Sequence, residues 1–193
     1  PTEEGYWLAE TFHLLEEALR SPCEIGAVIV AESAQARAEA VVGGRPEAPL
    51  VVVPDQVFQQ LAATESPQGV MTLVRLRGWR LEDLLSPLAL VVVLDGLQDP
   101  GNAGAILRAA EAFGATGAAF LAGCVNPFNP KAIRASAGSV FRLPVATGLA
   151  GAGFRAACRT HGLTVYAARP GGGGAASAAD FRGPCAIVVG AEG

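Results

Sequence analysis

Cysteine, methionine, lysine and histidine are scarce in this sequence. Its 193 residues hold four Cys, one Met, one Lys and two His. The cysteines are scattered and form no Cys-x-x-Cys pair, which argues against a disulfide framework and a zinc site. His13 and His161 have no partners at metal-ligand spacing and read as helix-surface groups, so no metal is expected. The longest apolar run, Leu88 to Leu94, is far below the roughly 20 residues of a membrane span. No basic start followed by an apolar stretch marks a secretory leader. Glycine is plentiful at 24 residues but has no three-residue period, which excludes collagen. A Gly-x-Gly-x-x-Gly fingerprint, a lysine-bearing phosphate loop and a Gly-x-Ser-x-Gly elbow are all missing. These absences weigh against a dinucleotide site, a P-loop and an α/β-hydrolase. The expected class is a cytoplasmic α/β protein with no membrane partner.

What is present supports a substantial core. The sequence is 51% hydrophobic and 17% charged, with a mean hydropathy of +0.36. Its pattern alternates. Strands are expected over Gly5 to Ala9, Ile25 to Ala31, Leu50 to Val53 and Val70 to Leu76, with helices over Glu10 to Arg20, Ser33 to Val42 and Asp55 to Ala62. Asp55 is expected to cap the third of these helices. Arg80 to Pro87 reads as a link, with a helical turn at Glu82 and Asp83. This divides the chain into a small α/β domain, 1–85, and a second domain, 86–193. The second domain alternates again. Strands are expected at Leu88 to Leu94, Ala118 to Leu121, Leu163 to Ala167 and Cys185 to Val189, with Phe141 to Val145 extended. Helices are expected near Asn102 to Phe113, Lys131 to Ala135 and Gly151 to His161. Nearly continuous apolar strands separated by helices imply a mostly parallel sheet covered on both faces. Ligands of such sheets sit at the carboxyl ends of the strands, and the three richest loops here follow Leu94, Leu121 and Val189.

Charge is uneven. Residues 1–90 hold 13 acids and 6 Arg, whereas residues 91–193 hold 5 acids and 8 basic residues. A net charge of -4 therefore leaves room for a local basic surface that meets RNA. Lys131, Arg134 and Arg142 lie in the densest polar and basic stretch, suited to a phosphate backbone. Asn102 stands at or near a helix start, as an N-cap or as a site residue. Arg108 follows on a helix whose other face holds Ile106, Leu107, Ala110 and Phe113. Its guanidinium can grip a phosphate or polarise a hydroxyl, or simply pair with Glu111 or Glu82. Asp95 and Asp99 share one turn and are weak evidence for Mg²⁺. The residues alone reach a small-molecule or nucleotide site at the strand ends, and no further.

One motif goes beyond this. Leu94 to Ala110 reads Leu-Asp-Gly-Leu-Gln-Asp-Pro-Gly-Asn-Ala-Gly-Ala-Ile-Leu-Arg-Ala-Ala, Lys131 to Ser139 reads Lys-Ala-Ile-Arg-Ala-Ser-Ala-Gly-Ser, and Ile187 to Gly193 reads Ile-Val-Val-Gly-Ala-Glu-Gly. These segments resemble the SpoU, or TrmH-like, RNA ribose 2'-O-methyltransferases of the knotted SPOUT superfamily. Gly5 to Leu19 and Thr64 to Val74 resemble that family's small substrate-binding domain, which has the fold of ribosomal RNA-binding proteins. The resemblance implies a knotted parallel-sheet methyltransferase domain behind a small RNA-binding domain. It implies S-adenosylmethionine as cofactor, transfer to a ribose 2'-hydroxyl in rRNA or else tRNA, and a homodimer. Arg108 and Asn102 become the expected catalytic residues. Leu121, Ala122, Gly123, Val189, Gly190, Ala191, Glu192 and Gly193 become the expected cofactor lining, and Lys131, Arg134 and Arg142 the expected RNA contacts. Two departures stand out. Ala191 replaces the usual Asn of the second motif, and the family's third motif, with the segment that completes the knot, does not appear. The chain is therefore expected to be C-terminally incomplete. The alternative is a non-catalytic RNA-binding or ribosome-assembly protein on the same scaffold.

Overall fold

The computed structural model describes residues 1–64, 66–169, 171 and 173–190. Two sheets organise the chain. The first is built from β1 (Trp7–Glu10), β2 (Glu24–Ala31), β3 (Leu50–Val53) and β4 (Val70–Arg75), in the order β1-β4-β2-β3. β4 runs antiparallel to both neighbours, and β2 and β3 are parallel. Three helices pack on this sheet: α1 (Phe12–Leu19), α2 (Gln35–Val42) and α3 (Asp55–Leu61). Thr11 caps α1 by accepting the Leu14 N–H. The expected helix from Ser33 opens as a 3₁₀ turn, Glu32–Ala34, before α2 begins. Asp55 is not the cap expected of it. Pro54 holds that position, and the Asp55 carboxylate accepts the Ser33 hydroxyl instead.

A short helix, α4 (Leu81–Leu84), leads to the second sheet. Its strands are β5 (Leu90–Asp95), β6 (Gly117–Leu121), β7 (Val145–Leu149), β8 (Thr164–Ala168) and β9 (Cys185–Gly190). All are parallel, in the order β7-β6-β5-β9-β8. Between them run α5 (Pro100–Ala112), α6 (Pro130–Ala135) and α7 (Gly151–Thr160). The parallel sheet expected from the alternation is present. β7 differs from its expectation: Phe141 belongs to a 3₁₀ turn, Ser139–Phe141, and the strand covers Val145–Leu149. Thr147 and Gly148 dilute its apolar signal, and Gly148 takes a positive φ of 69°.

Side chains of successive strand residues point to opposite faces, and this sheet uses both. Val91, Val93 and Ala119 join Phe154 and Cys158 of α7 on one face. Leu94, Ala118 and Phe120 join Leu107 of α5 and Ile133 of α6 on the other. The second of these cores does not stop at the sheet. It takes in Ala9, Leu14, Ala18 and Val74, so the two lobes share one continuous buried cluster. Trp7 of β1 packs against Phe128 with ring centroids 5.3 Å apart.

Candidate active site at the carboxyl edge

The sequence order of the strands breaks between β5 and β9: the chain steps from β5 to β6 and β7, then crosses to the far edge at β8 and returns through β9. Strands β6 and β7 are added on one side of β5, and β9 and β8 lie on the other. This junction is the switch point of the strand order; the loop after β5 leaves it toward β6, and the continuation of β9 lies outside the described residues. Asp95 at the end of β5 pairs in register with Gly190 at the end of β9, and Leu94 with Phe120 near the end of β6. The loops after β5 and β6 are tied together. Gln98 donates from Nε2 to the carbonyls of Gly123 (2.6 Å) and Gly96 (3.2 Å), and Val125 donates its N–H to the Leu97 carbonyl (2.7 Å). The Cys124 thiol donates to the Leu94 carbonyl at 3.1 Å. Gln98 had no role in the sequence reading, although it lies inside the long motif.

α5 starts from this tied loop. Asp99 is its N-cap, accepting the Asn102 N–H at 2.8 Å, and Pro100 follows with a φ suited to the first turn. The N-cap reading of Asn102 is thus corrected: it sits in the first turn, with its side chain in solvent. The Asn102 N–H, and after it the Lys131 ammonium 3.2 Å away, hold the Asp99 carboxyl below the usual carboxylate range. Asp99 therefore serves α5 and α6 and is not free to act as a cation ligand. Among the described residues no group of three or more His, Cys, Asp or Glu could hold a metal.

Arg108 lies six residues beyond Asn102, about 9 Å of helix rise. It is exposed and, among the described residues, has neither a hydrogen bond nor an ion pair. The pairing with Glu111 or Glu82 considered for it is absent. Glu111 stands one turn from Arg108 but is held by Arg142, whose Nε and Nη2 donate to its two oxygens at 2.6 and 3.0 Å. That bidentate bond depresses the Glu111 pKa. Arg142 also donates to Glu17 of α1, so one guanidinium joins both lobes. Arg134 reaches Glu10 at 3.8 Å, again across the lobes. The three expected RNA contacts thus each face a carboxylate: Lys131 with Asp99, Arg134 with Glu10, Arg142 with Glu111 and Glu17. The helix face described for Arg108 also needs amending. Leu107 is buried, but Ile106 is only partly so and Phe113 is 87% exposed.

α5 is held close to α6 by Gly104. A Cβ there would overlap the Ala132 carbonyl and lie 2.6 Å from the Ala135 Cβ. This contact brings Lys131 to the N-terminus of α5. Of the expected cofactor lining, Leu121 is almost buried at the end of β6, while Ala122 and Gly123 are exposed just beyond it. Gly123 has a φ of 91° with open space beside it. Val189 is half-buried and Gly190 exposed at the end of β9. Ala191, Glu192 and Gly193 lie outside the described residues.

Residues 89–193 match the SpoU rRNA Methylase family, which is more than half of the chain. The chain belongs to this family. Residues 2–72 match the MRM3-like substrate binding domain. An uncharacterised tRNA/rRNA methyltransferase of Synechocystis is 34% identical over 143 residues, 74% of this chain and 52% of that protein. The 23S rRNA (guanosine(2553)-2'-O)-methyltransferase RlmP of Bacillus subtilis is 27% identical over 135 residues, 70% of this chain and 51% of that protein. The chain spans about half the length of the curated relatives it matches. Among solved structures, the AdoMet-bound rRNA methyltransferase of Sinorhizobium meliloti superposes with a TM-score of 0.81. It is 26% identical, and the match covers 96% of this chain and 70% of that one. An RNA 2'-O ribose methyltransferase superposes with a TM-score of 0.77 at 31% identity, over 96% of this chain and 71% of that one. As a SpoU family member the chain carries its long motif on the β5 loop and α5, at the switch point.

Proposed function

We propose that the protein containing this chain transfers a methyl group from S-adenosylmethionine to a ribose 2'-hydroxyl of structured RNA, in rRNA or otherwise tRNA. The carrying observation is Arg108, a cation with no carboxylate partner among the described residues, on the helix that leaves the switch-point loop. Residues 86–193 would perform the transfer, and residues 1–85 would help to hold the substrate. The groups at the strand ends suit the cofactor. Gly123 leaves open space where a side chain would stand, while Leu121 and Val189 offer an apolar wall beside exposed backbone at Ala122, Gly123 and Gly190. Expected contacts at Ala191, Glu192 and Gly193 belong to the same reading. When bound, S-adenosylmethionine supplies an electrophilic methyl group. A ribose hydroxyl is a poor nucleophile at neutral pH and needs activation.

Arg108 has five N–H donors and no acceptor, so it cannot take the hydroxyl proton. Its work is electrostatic: a fixed positive charge lowers the hydroxyl pKa and stabilises the developing alkoxide. It can equally hold a neighbouring phosphate that accepts the proton. Asn102, exposed one and a half turns earlier, would orient the nucleotide through its amide. Lys131, Arg134 and Arg142 would meet RNA by exchanging carboxylate partners for phosphates, the exposed Lys131 most readily. No helix among the described residues is long and apolar enough to cross a membrane. A cytoplasmic location belongs to the same proposal.

A homodimer completes this reading. An apolar groove of about 270 Å³ lies between α5 and β9, lined by Ile106, Ala109, Phe113, Ile187 and Val189. A second copy would cover it. The test of the activity uses the full-length protein with methyl-labelled S-adenosylmethionine and separate rRNA and tRNA pools, followed by mass analysis of the digested RNA. Labelled 2'-O-methyl nucleotides in one pool are expected. No label in either pool, with RNA binding retained, would reject the activity in favour of the non-catalytic scaffold.

A further inference from the structure

Six residues from the end of β4 onward carry a pattern that the methyl-transfer site does not use. Arg75, Leu76, Arg77, Gly78, Trp79 and Arg80 bring three cations and an indole to the seam between the lobes. This segment lies between the two matched regions, which end at residue 72 and begin at residue 89. Leu76, Arg77 and Trp79 of this segment form one wall of a cleft of about 370 Å³. The opposite wall holds Phe128, Phe141 and Arg142, and Cys23 contributes from the loop before β2. Pro144 and Val145, at the amino end of β7, also line it, so part of the cleft stands at the sheet edge opposite the switch point.

The chemistry of the walls is mixed in a particular way. Trp79, Phe128 and Phe141 supply aromatic surface. Burial pushes the Cys23 thiol up to about 11, so it is a neutral, apolar wall group and no nucleophile. The cations differ in their commitments. Arg75 is paired with Glu24, Arg80 with Asp83, and Arg142 with Glu111 and Glu17. Arg77 has no ion pair among the described residues. Its guanidinium lies over the Trp79 ring, 4.1 Å from the centroid. A flat cation on an indole face occupies the position a nucleobase takes when it stacks. A base that displaced it would free Arg77 to meet the adjoining phosphate, which a carboxylate-bound arginine could do only by breaking a pair. Pockets for small ligands measure roughly 300–1,000 Å³, so the cleft suits one nucleotide and excludes a duplex.

We propose that this cleft is an exosite for a single unstacked nucleotide of the RNA substrate, with the base on Trp79 and its phosphate on Arg77. The proposal rests on the reading of RNA as the substrate. It adds a contact point outside the carboxyl-edge site, with its two named contacts, Trp79 and Arg77, between the matched regions.

The test measures binding of fluorescent hexauridylate to the full-length protein by anisotropy, across a salt series, with a six-base-pair duplex as control. Trp79→Ala is expected to weaken hexauridylate binding roughly 5- to 100-fold. Trp79→Phe should restore most of it, since a phenyl ring still stacks. Arg77→Gln should reduce the slope of log affinity against log salt by about 1. Duplex binding should not change in any variant. The proposal is overturned if wild-type protein does not bind hexauridylate, or if Trp79→Ala binds it normally. Equal losses in the Ala and Phe variants would also overturn it, because a packing role and not stacking would then explain them. Uridine monophosphate binding as tightly as the hexamer would overturn it in favour of a free-nucleotide pocket. Methyl transfer is read in a separate assay. Active enzyme with an indifferent Trp79 defeats the exosite alone, and an inactive protein that binds hexauridylate through Trp79 defeats the activity alone.

Discussion

The seam between the lobes and the carboxyl edge of the parallel sheet treat charge in opposite ways. At the seam, Arg142 and Arg134 reach across to Glu17 and Glu10, and Arg142 also holds Glu111. At the edge, Asn102 stands in solvent, and about 9 Å further along α5 so does Arg108, both with side chains uncommitted among the described residues. The two regions are connected through one residue. Glu111 is a single turn from Arg108 on α5 and would be its natural i,i+3 partner. Arg142 removes that option by binding both Glu111 oxygens. Satisfied arginines build the junction, and Arg108, without an ion pair among the described residues, stands where substrate chemistry is proposed. At Glu111, proximity in sequence to Arg108 does not decide the pairing.

The contrast can be broken most forcefully at the open end. Arg108→Ala should lower methyl transfer by about 10²–10³-fold, the size of losing one preorganised donor to a developing charge. Its melting temperature should match wild type, because Arg108 holds nothing else in place among the described residues. Wild-type turnover, measured by label incorporation, would remove Arg108 from the reaction.

A second substitution breaks the closed side. Gly104→Ala places a Cβ against the Ala132 carbonyl backbone, which has no flexible end to yield. Separating α5 from α6 should destabilise the protein by about 1–3 kcal/mol. It should also draw Lys131 away from Asp99. Denaturant titration reads the first effect directly, and an unchanged midpoint would show that the helices have slack.

The link between the two regions is sharpened by a double substitution. Arg142→Met frees Glu111 to bind Arg108 and should reduce turnover roughly tenfold, an order-of-magnitude expectation from coupled charge pairs. Adding Glu111→Gln should recover most of that loss, since an amide does not neutralise Arg108. A loss that the second substitution leaves untouched would mean Arg142 acts only through folding. The same pair predicts the smallest effect, in acid. The Arg142 hydrogen bond lowers the Glu111 pKa. Its stabilisation is therefore complete above the ordinary glutamate value of about 4.3 and fades as pH falls through the depressed one. Between pH 5 and 3 the wild type should lose stability more steeply than Arg142→Met.

Much of this was legible before any coordinates. The alternation of apolar strands with helices specified the parallel sheet, and the run from Leu94 to Ala110 located the switch-point loop and α5. Local chemistry was read less well. Asp99-Pro100 is a good helix start, yet the spacing leaves Asn102 open as a cap or as a site residue. β7 escaped because Thr147 and Gly148 interrupt its hydrophobic pattern at a short edge strand. The seam was not legible at all. Arg142 and Glu17 are 125 residues apart, and no local spacing foretells that one guanidinium will collect carboxylates from two lobes. The cleft at Trp79 needed the same long-range folding, since its walls come from four separate stretches of chain.

The shared core has a further consequence. Because Ala9, Leu14, Ala18 and Val74 are buried in the same cluster as Leu94 and Leu107, the small lobe is not a weight on a string. It is clamped like the fence of a jig. Under the proposed methyl transfer, whatever it grips would be offered to Arg108 at one distance and one angle, so substrate choice would become a matter of measurement. An RNA whose recognised feature and target ribose are spaced differently from that gauge would dock and still go unmodified.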